Sequence, residues 1–213
     1  VITLFDEQYH PVISLRYDED ESWPESKEKK WLSVALIDTS LSIDDGRNWR
    51  TGYKIYGTPG YSNIPPRISD LFLNEISGMN QTEFTDNFGE YEDWIELYNG
   101  SEHEINFGGL YLTDNLQNLC KNRVLQNNPD STAIAAHGYK VLFADGEPGQ
   151  GVLHLNFRIS ADGEELGLVQ LVGLDTIVLD QVYFGEFSPG FSLGRRTDGG
   201  VPWEDLEFSP GSS

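Results

Sequence analysis

A single cysteine, Cys120, stands in 213 residues, so no disulfide closes within the chain and the fold must rest on its core. Catalysis at that thiol lacks its usual surroundings. Lys121 and Arg123 are near in sequence, but no flanking motif or histidine partner accompanies them, and the position reads as a small, buried or half-buried hydrophobe. Basic residues are scarce as well. Lys and Arg total 14 against 35 Asp and Glu, a formal net charge of -21, spread along the chain rather than gathered in one tail. A nucleic-acid footprint is therefore absent, and the field repels phosphate backbones and anionic lipid surfaces. No run of about 18 apolar residues occurs, so no membrane insertion is expected.

Catalytic patterns are missing too. His10, His103, His137 and His154 are scattered singly, without the HxH or HExxH spacing of a zinc site, and no GxSxG elbow or GxxxxGKS loop occurs. Glycosidases need two carboxylates at a set separation, but among 35 acids some pair always meets it, so proximity carries no information. The sequence points away from an enzyme. His154, alternating with Leu153 and Leu155, reads as a surface residue on a strand, and His137-Gly138 reads as a turn.

No stretch holds a 3.6-residue period over ten or more residues. What recurs instead are short runs rich in Val, Ile, Leu, Phe and Tyr: LFLNEI from Leu71, DWIELYN from Asp93, INFGGLYLT from Ile105, YKVLFA from Tyr139, LHLNF from Leu153, ELGLVQLV from Glu165, TIVLDQVYF from Thr176 and FSLGRR from Phe191. Asn99-Gly100, Asp145-Gly146, Asp162-Gly163 and Asp198-Gly199-Gly200 stand between them as turns. The pattern predicts an all-β chain, an immunoglobulin-like antiparallel β-sandwich. In DWIELYN the alternation puts Ile95 and Leu97 in the inter-sheet core, with Trp94, Glu96 and Tyr98 on the other side. In TIVLDQVYF one acid, Asp180, interrupts the set Val178, Val182 and Phe184, which leaves either an inward Asp180 or, as the favoured expectation, a register shift through a bulge there.

The chain also repeats itself. ITLF from Ile2, VISLRY ending at Tyr17, Leu32-Ser33-Val34-Ala35, Asp45-Gly46, Trp49 and Gly57-Thr58-Pro59-Gly60 parallel LVQLV, VLDQVYF, Phe191-Ser192-Leu193-Gly194, Asp198-Gly199, Trp203 and Phe208-Ser209-Pro210-Gly211. Landmarks in one order imply two units of the same kind, of which only the second has its front half within these residues. Trp49 and Trp203, at the same address in both, are expected to be architectural. The expected division is residues 1–63 as the back part of a first repeat, 64–70 as a linker stiffened by Pro65-Pro66, and 71–213 as the complete domain. The chain opens on Val rather than Met, so any signal peptide is expected upstream of it.

LNEI, the acidic stretch ending in DWIELYN, Gly109-Leu110-Tyr111-Leu112-Thr113-Asp114, GYKVLFADG, LHLNFRIS, FSLGRR and the closing Ser-Pro-Gly-Ser together resemble a lamin tail domain over residues 71–213. The likeness is to the bacterial, secreted version of that domain, and WLSVALIDTSLSIDDGRNW with YGTPGYSN resembles the end of a preceding copy. The resemblance implies an immunoglobulin-like fold, an extracellular or cell-surface setting in a bacterium, and attachment or scaffolding rather than catalysis. Heptads are absent, so the nuclear lamin role is not implied.

Two kinds of site remain. Asp86, Asn87, Glu90, Glu92 and Asp93 gather oxygen ligands before DWIELYN and are the candidate calcium ligands, although the spacing is not that of an EF-hand. The alternative is that Asp86 and Asn87 cap a turn while Glu90 and Glu92 face water. Trp23 and Trp31, in SWPESKEKKW, and Tyr91 are the candidate aromatic contacts for a surface glycan, the reading in which the chain is an accessory module of a secreted hydrolase. The half-repeat leaves an apolar sheet face without a partner, which predicts a homodimer or a domain-swapped assembly.

Overall fold

Alternating β-formers and turn residues fold as expected for an all-β chain. The computed structural model describes residues 2–15, 32–36, 40–55, 57–60, 65–125, 128, 130–172 and 175–212, with backbone alone for residues 32 and 51–55. Among these there are fifteen strands and two short 3-10 turns, Gly46–Asn48 and Pro148–Gln150, and no α-helix. Nine of the strand pairs are antiparallel in register. The chain divides into two units: residues 1–66 with 172–175, and residues 67–171 with 176–213.

The first unit consists of two hairpins. Strand β1 (Ile2–Phe5) pairs with β2 (Pro11–Leu15), and β3 (Leu32–Leu36) pairs with β4 (Trp49–Ile55). Asp6 closes the first hairpin, its Oδ1 accepting from Gln8 N and His10 N at 2.9 and 2.8 Å. Asp45 caps the 3-10 turn before β4 by accepting from Arg47 N at 3.0 Å. Trp49 Nε1 donates to Ile43 O at 2.9 Å.

The second unit carries the core. One sheet has the order β11-β6-β5-β14-β15, built from β5 (Leu71–Ser77), β6 (Trp94–Asn99), β11 (Tyr139–Phe143), β14 (Ser192–Arg195) and β15 (Trp203–Leu206). The other has the order β13-β12-β8-β9, built from β8 (Tyr111–Thr113), β9 (Asn122–Arg123), β12 (Glu164–Val172) and β13 (Asp175–Phe184). A small pair joins β7 (Ile105–Asn106) to β10 (Ala133–Ile134). Leu71, Leu73, Ile76, Ile95, Leu97 and Leu142 of the first sheet meet Leu112, Leu166, Leu168 and Val182 of the second in a single buried cluster. Ile68 already packs on that cluster, and its N–H donates to Gln170 Oε1 at 2.8 Å.

Local irregularities decide which side chains enter this core. The pairing of β5 with β6 shifts between Leu73 and Glu75. That bulge exchanges the faces of the strand, so Leu71 and Leu73 before it and Ile76 after it all point inward. Gly109, at φ +92°, breaks the expected INFGGLYLT strand into β7 and β8. Gly163, at φ +98°, approaches so closely that an added Cβ would lie 2.5 Å from Phe184 O.

The face of β6 opposite the core is covered as well. Trp94 and Glu96 are fully buried, beneath the loop 79–93 on one side and the closing segment 207–212 on the other. Trp94 packs against Phe84 and Phe208 at ring separations of 6.2 and 6.3 Å. Ser209 donates to Glu75 Oε2 at 2.6 Å, and Gly211 N donates to Glu96 Oε2 at 2.6 Å. Asp180 takes the inward position, the alternative to a bulge, and binds Arg195 of the facing sheet through both carboxylate oxygens, at 2.9 and 2.8 Å. Cys120 is exposed rather than half-buried, and partial desolvation pushes its thiol up from its ordinary value, which disfavours the reactive thiolate.

Candidate metal centre

The acidic loop before β6 is shaped by one buried amide. Asn80 Nδ2 donates to Glu92 O at 2.8 Å while its Oδ1 accepts from Phe84 N at 3.1 Å, so both ends of the loop are tied to one side chain. Between them Asp86 makes a capped turn. Its Oδ1 accepts from Phe88 N and Glu90 N, both at 2.8 Å, and Gly89 supplies the left-handed residue at φ +84°. The capping role expected for Asp86 is therefore met by one carboxylate oxygen. Its other oxygen, Oδ2, is buried and has no hydrogen-bond partner.

That loop packs beside a second acid and an imidazole. Asp145 follows β11, where Gly146 at φ +75° turns the chain, and its Oδ1 accepts from Glu147 N at 2.8 Å. The chain then returns through the 3-10 turn Pro148–Gln150 to His154, and Phe143 N and Leu155 N exchange hydrogen bonds with Leu153 O and Phe143 O at 2.8 Å each. LHLNF was expected as a strand with His154 on its surface. It makes only an isolated bridge, Phe143 with His154, and His154 is 4% exposed. His154 Nδ1 contacts Asp145 Oδ2, and Nε2 lies 3.1 Å from Asn87 Oδ1. Phe143 stacks on the ring at 5.3 Å and Phe88 meets it edge-on at 5.8 Å.

Asp86, Asp145 and His154 are all buried, and each offers one ligand atom within 4.8 Å of the others. Of the five candidate calcium ligands, the structure brings Asp86 and Asn87 to this cluster and leaves three outside it. Glu90 is exposed at the rim, where Gln150 Nε2 donates to its Oε2 at 3.0 Å. Glu92 and Asp93 are half-buried. Burial pushes Asp93 up to about 6 and raises Glu92 from its ordinary value. Tyr91 is exposed, whereas Trp23 and Trp31 lie outside the described residues.

Sequence reasoning missed Asp145 and His154 because Asp86 precedes them by dozens of residues and no local spacing joins the three. Asp145-Gly146 looks like any turn, and an isolated histidine between two leucines looks like a strand surface. Chemically, an Asp-His pair serves as a base when its free ring nitrogen meets water or substrate. Here that nitrogen faces Asn87 Oδ1 at 3.1 Å, beside the rings of Phe143 and Phe88. The chain matches no family model, no curated protein and no solved structure.

Proposed function

We propose that the chain is a non-catalytic interaction or scaffolding module, a lamin-tail-like domain of immunoglobulin type preceded by the back part of another, working at a bacterial surface or outside the cell. The observation that carries this reading is an apolar hairpin face open to solvent. In β1 and β2 the register pairs Ile2 with Leu15 and Leu4 with Ile13, which places all four on one face, and Ile2, Leu4 and Ile13 are 64%, 62% and 47% exposed. The opposite face carries the Thr3–Ser14 hydroxyl contact at 2.8 Å. Contiguous exposed apolar surface on an otherwise strongly acidic chain is a docking surface.

Pairing register supports the repeat. In β3 and β4, Val34, Ala35 and Leu36 face Thr51, Arg50 and Trp49. In β14 and β15, Leu193, Gly194 and Arg195 face Asp205, Glu204 and Trp203. The two hairpins are thus in one register, and a tryptophan opens the last strand of each. Both closing turns also carry a left-handed glycine, Gly60 at φ +81° and Gly211 at φ +86°.

The expected partner of the apolar face is a second copy of the chain. Light scattering at micromolar concentration should give a dimer for the native chain and a monomer for Leu4→Glu with Ile13→Lys. A native monomer under those conditions would remove the self-association part of the proposal. Glycan binding is favoured by one further observation: Tyr91 and Phe88, 51% and 56% exposed, stand on one loop. Binding on an array of envelope polysaccharides that Tyr91→Ala abolishes would support that second reading, and an array without binding would end it.

A further inference from the structure

We propose that the second unit holds a divalent ion of the zinc or manganese class, ligated by His154, Asp86 and Asn87, with Asp145 fixing the imidazole. Neutral imidazole carries one N–H, yet both ring nitrogens of His154 face oxygen, Asp145 Oδ2 at Nδ1 and Asn87 Oδ1 at Nε2. If the proton sits on Nδ1 towards the carboxylate, the Nε2 lone pair meets the amide oxygen without a donor between them. Asp86 Oδ2 adds another buried acceptor without a partner. Asp86, Asp145 and His154 each offer a ligand atom within 4.8 Å of the others, with the Asn87 amide oxygen against the ring at the exposed edge, and a cation satisfies acceptors gathered in this way.

Charge and ligand type then narrow the ion. Asp86, Asp145 and His154 are 7%, 1% and 4% exposed, so two carboxylates share a site from which water is largely excluded. A dication offsets both charges, whereas isolated buried carboxylates are costly. Calcium takes oxygen ligands almost throughout, but imidazole suits zinc and its neighbours, and carboxylate suits manganese. A mixed nitrogen and oxygen set therefore favours the intermediate ions over calcium. Asp145 occupies the position of an orienting carboxylate, accepting the N–H of the ring nitrogen that does not bind metal. The aromatic rings of Phe143 and Phe88 keep the imidazole in place. The ion crosslinks the loop before β6 to the return segment after β11, so its role is structural.

The full chain, stripped with EDTA and desalted, is titrated calorimetrically with Zn²⁺, Mn²⁺ and Ca²⁺ in turn. One Zn²⁺ or Mn²⁺ per chain with micromolar or tighter affinity, a raised melting temperature, and markedly weaker Ca²⁺ binding are the expected results. Asp86→Asn keeps an oxygen for Phe88 N and Glu90 N and should weaken binding at least about 10-fold, as should Asp145→Asn acting through the ring. Asn87→Ala, at an exposed position, is the variant least able to disturb folding and should also bind more weakly. Zn²⁺ and Mn²⁺ binding that is absent, or equally tight in Asp86→Asn and Asn87→Ala, would overturn the site. So would nitrogen NMR that finds His154 doubly protonated and unchanged by either ion, since a buried imidazolium would then occupy the place assigned to the metal. Calcium binding as tight as zinc would overturn the choice of ion.

Discussion

Replacing Arg195 by Met should lower the unfolding free energy by about 3–5 kcal/mol, the usual cost of removing one partner from a buried ion pair. Arg195 is 8% exposed and serves several elements at once. Its Nη2 binds both oxygens of Asp180 on the facing sheet, and its Nε donates to Leu73 O at 2.7 Å on β5. Its Nη1 donates to Gly200 O, and the guanidinium lies 4.7 Å from the Trp203 ring centre. Methionine restores none of these and leaves the half-buried Asp180 with only two backbone donors, Leu73 N at 2.8 Å and Gln181 N at 2.9 Å. Pairing Arg195→Met with Asp180→Leu removes the stranded charge and should recover part of the loss, while the unpaired Leu73 and Gly200 groups keep the double variant below the native chain. Arg196 provides the contrast. Its bond to Glu204 is at the surface at 3.1 Å, and Arg196→Ala should change stability by less than about 1 kcal/mol. Urea melts followed by circular dichroism decide the matter, and equal midpoints for Arg195→Met and Arg196→Ala would refute the central role given to Arg195.

Arg195 also illustrates what was legible in advance. Alternation in DWIELYN placed Ile95 and Leu97 in the core because period two is a local property of a strand, and both are fully buried. The same alternation left Trp94, Glu96 and Tyr98 on a second face without saying what covers it. Trp94 and Glu96 are sealed there by a loop and by the chain's closing segment, a consequence of tertiary docking that no strand pattern contains. Asp180 was left between two readings for a related reason. An acid amid apolar residues suggested a bulge or a buried acid, and an arginine from the other sheet, its Nη2 bonded to both carboxylate oxygens, makes the inward position tolerable. Its partner lies fifteen residues away, across the turn between β13 and β14.

Order along the chain was more informative than any one motif. LNEI, DWIELYN and the closing Ser-Pro-Gly are far apart in sequence, yet Glu75 of the first accepts from Ser209, and Glu96 of the second accepts from Gly211. Motifs that travel together in this way are parts of one joint. The metal-type cluster had no such sign, since Asp86 read correctly as a turn cap while its second oxygen, Asp145 and His154 are joined only by the fold. Trp203 behaves as the repeat suggested, half-buried, against the core and stacked on Arg195.

The joint at Glu96 makes the stability of the second unit depend on pH in an unusual direction. Burial raises the Glu96 carboxyl from 4.5 to about 7, opposed in part by hydrogen bonds from Gly211 N and Asn74, while Glu75 and Asp198 nearby push it further up. The native state therefore keeps a proton on Glu96 across a range in which the unfolded chain has released it. Because the native state binds more protons there, stability falls as pH rises. The contribution is fully present below about 4.5, declines between 4.5 and about 7, and stays lost above that. At about 1.4 kcal/mol per pH unit the loss comes to about 3–4 kcal/mol. Asp93, raised to about 6 by burial, acts in the same direction. Glu96→Gln supplies a neutral side chain at every pH. It gives up one of the two acceptors used by Asn74 Nδ2 and Gly211 N, so it should be somewhat less stable than the native chain at pH 4.5, where both side chains are neutral. Above pH 7 it should match or exceed the native chain, because only the native chain then carries a buried charge. Urea melts of the two proteins at a series of pH values isolate this residue, since all other titrations cancel in the difference. A difference that does not change between pH 4.5 and 8 would mean that Glu96 is charged in the folded state throughout, and that the closing segment is held by an ionised carboxylate instead of an acid.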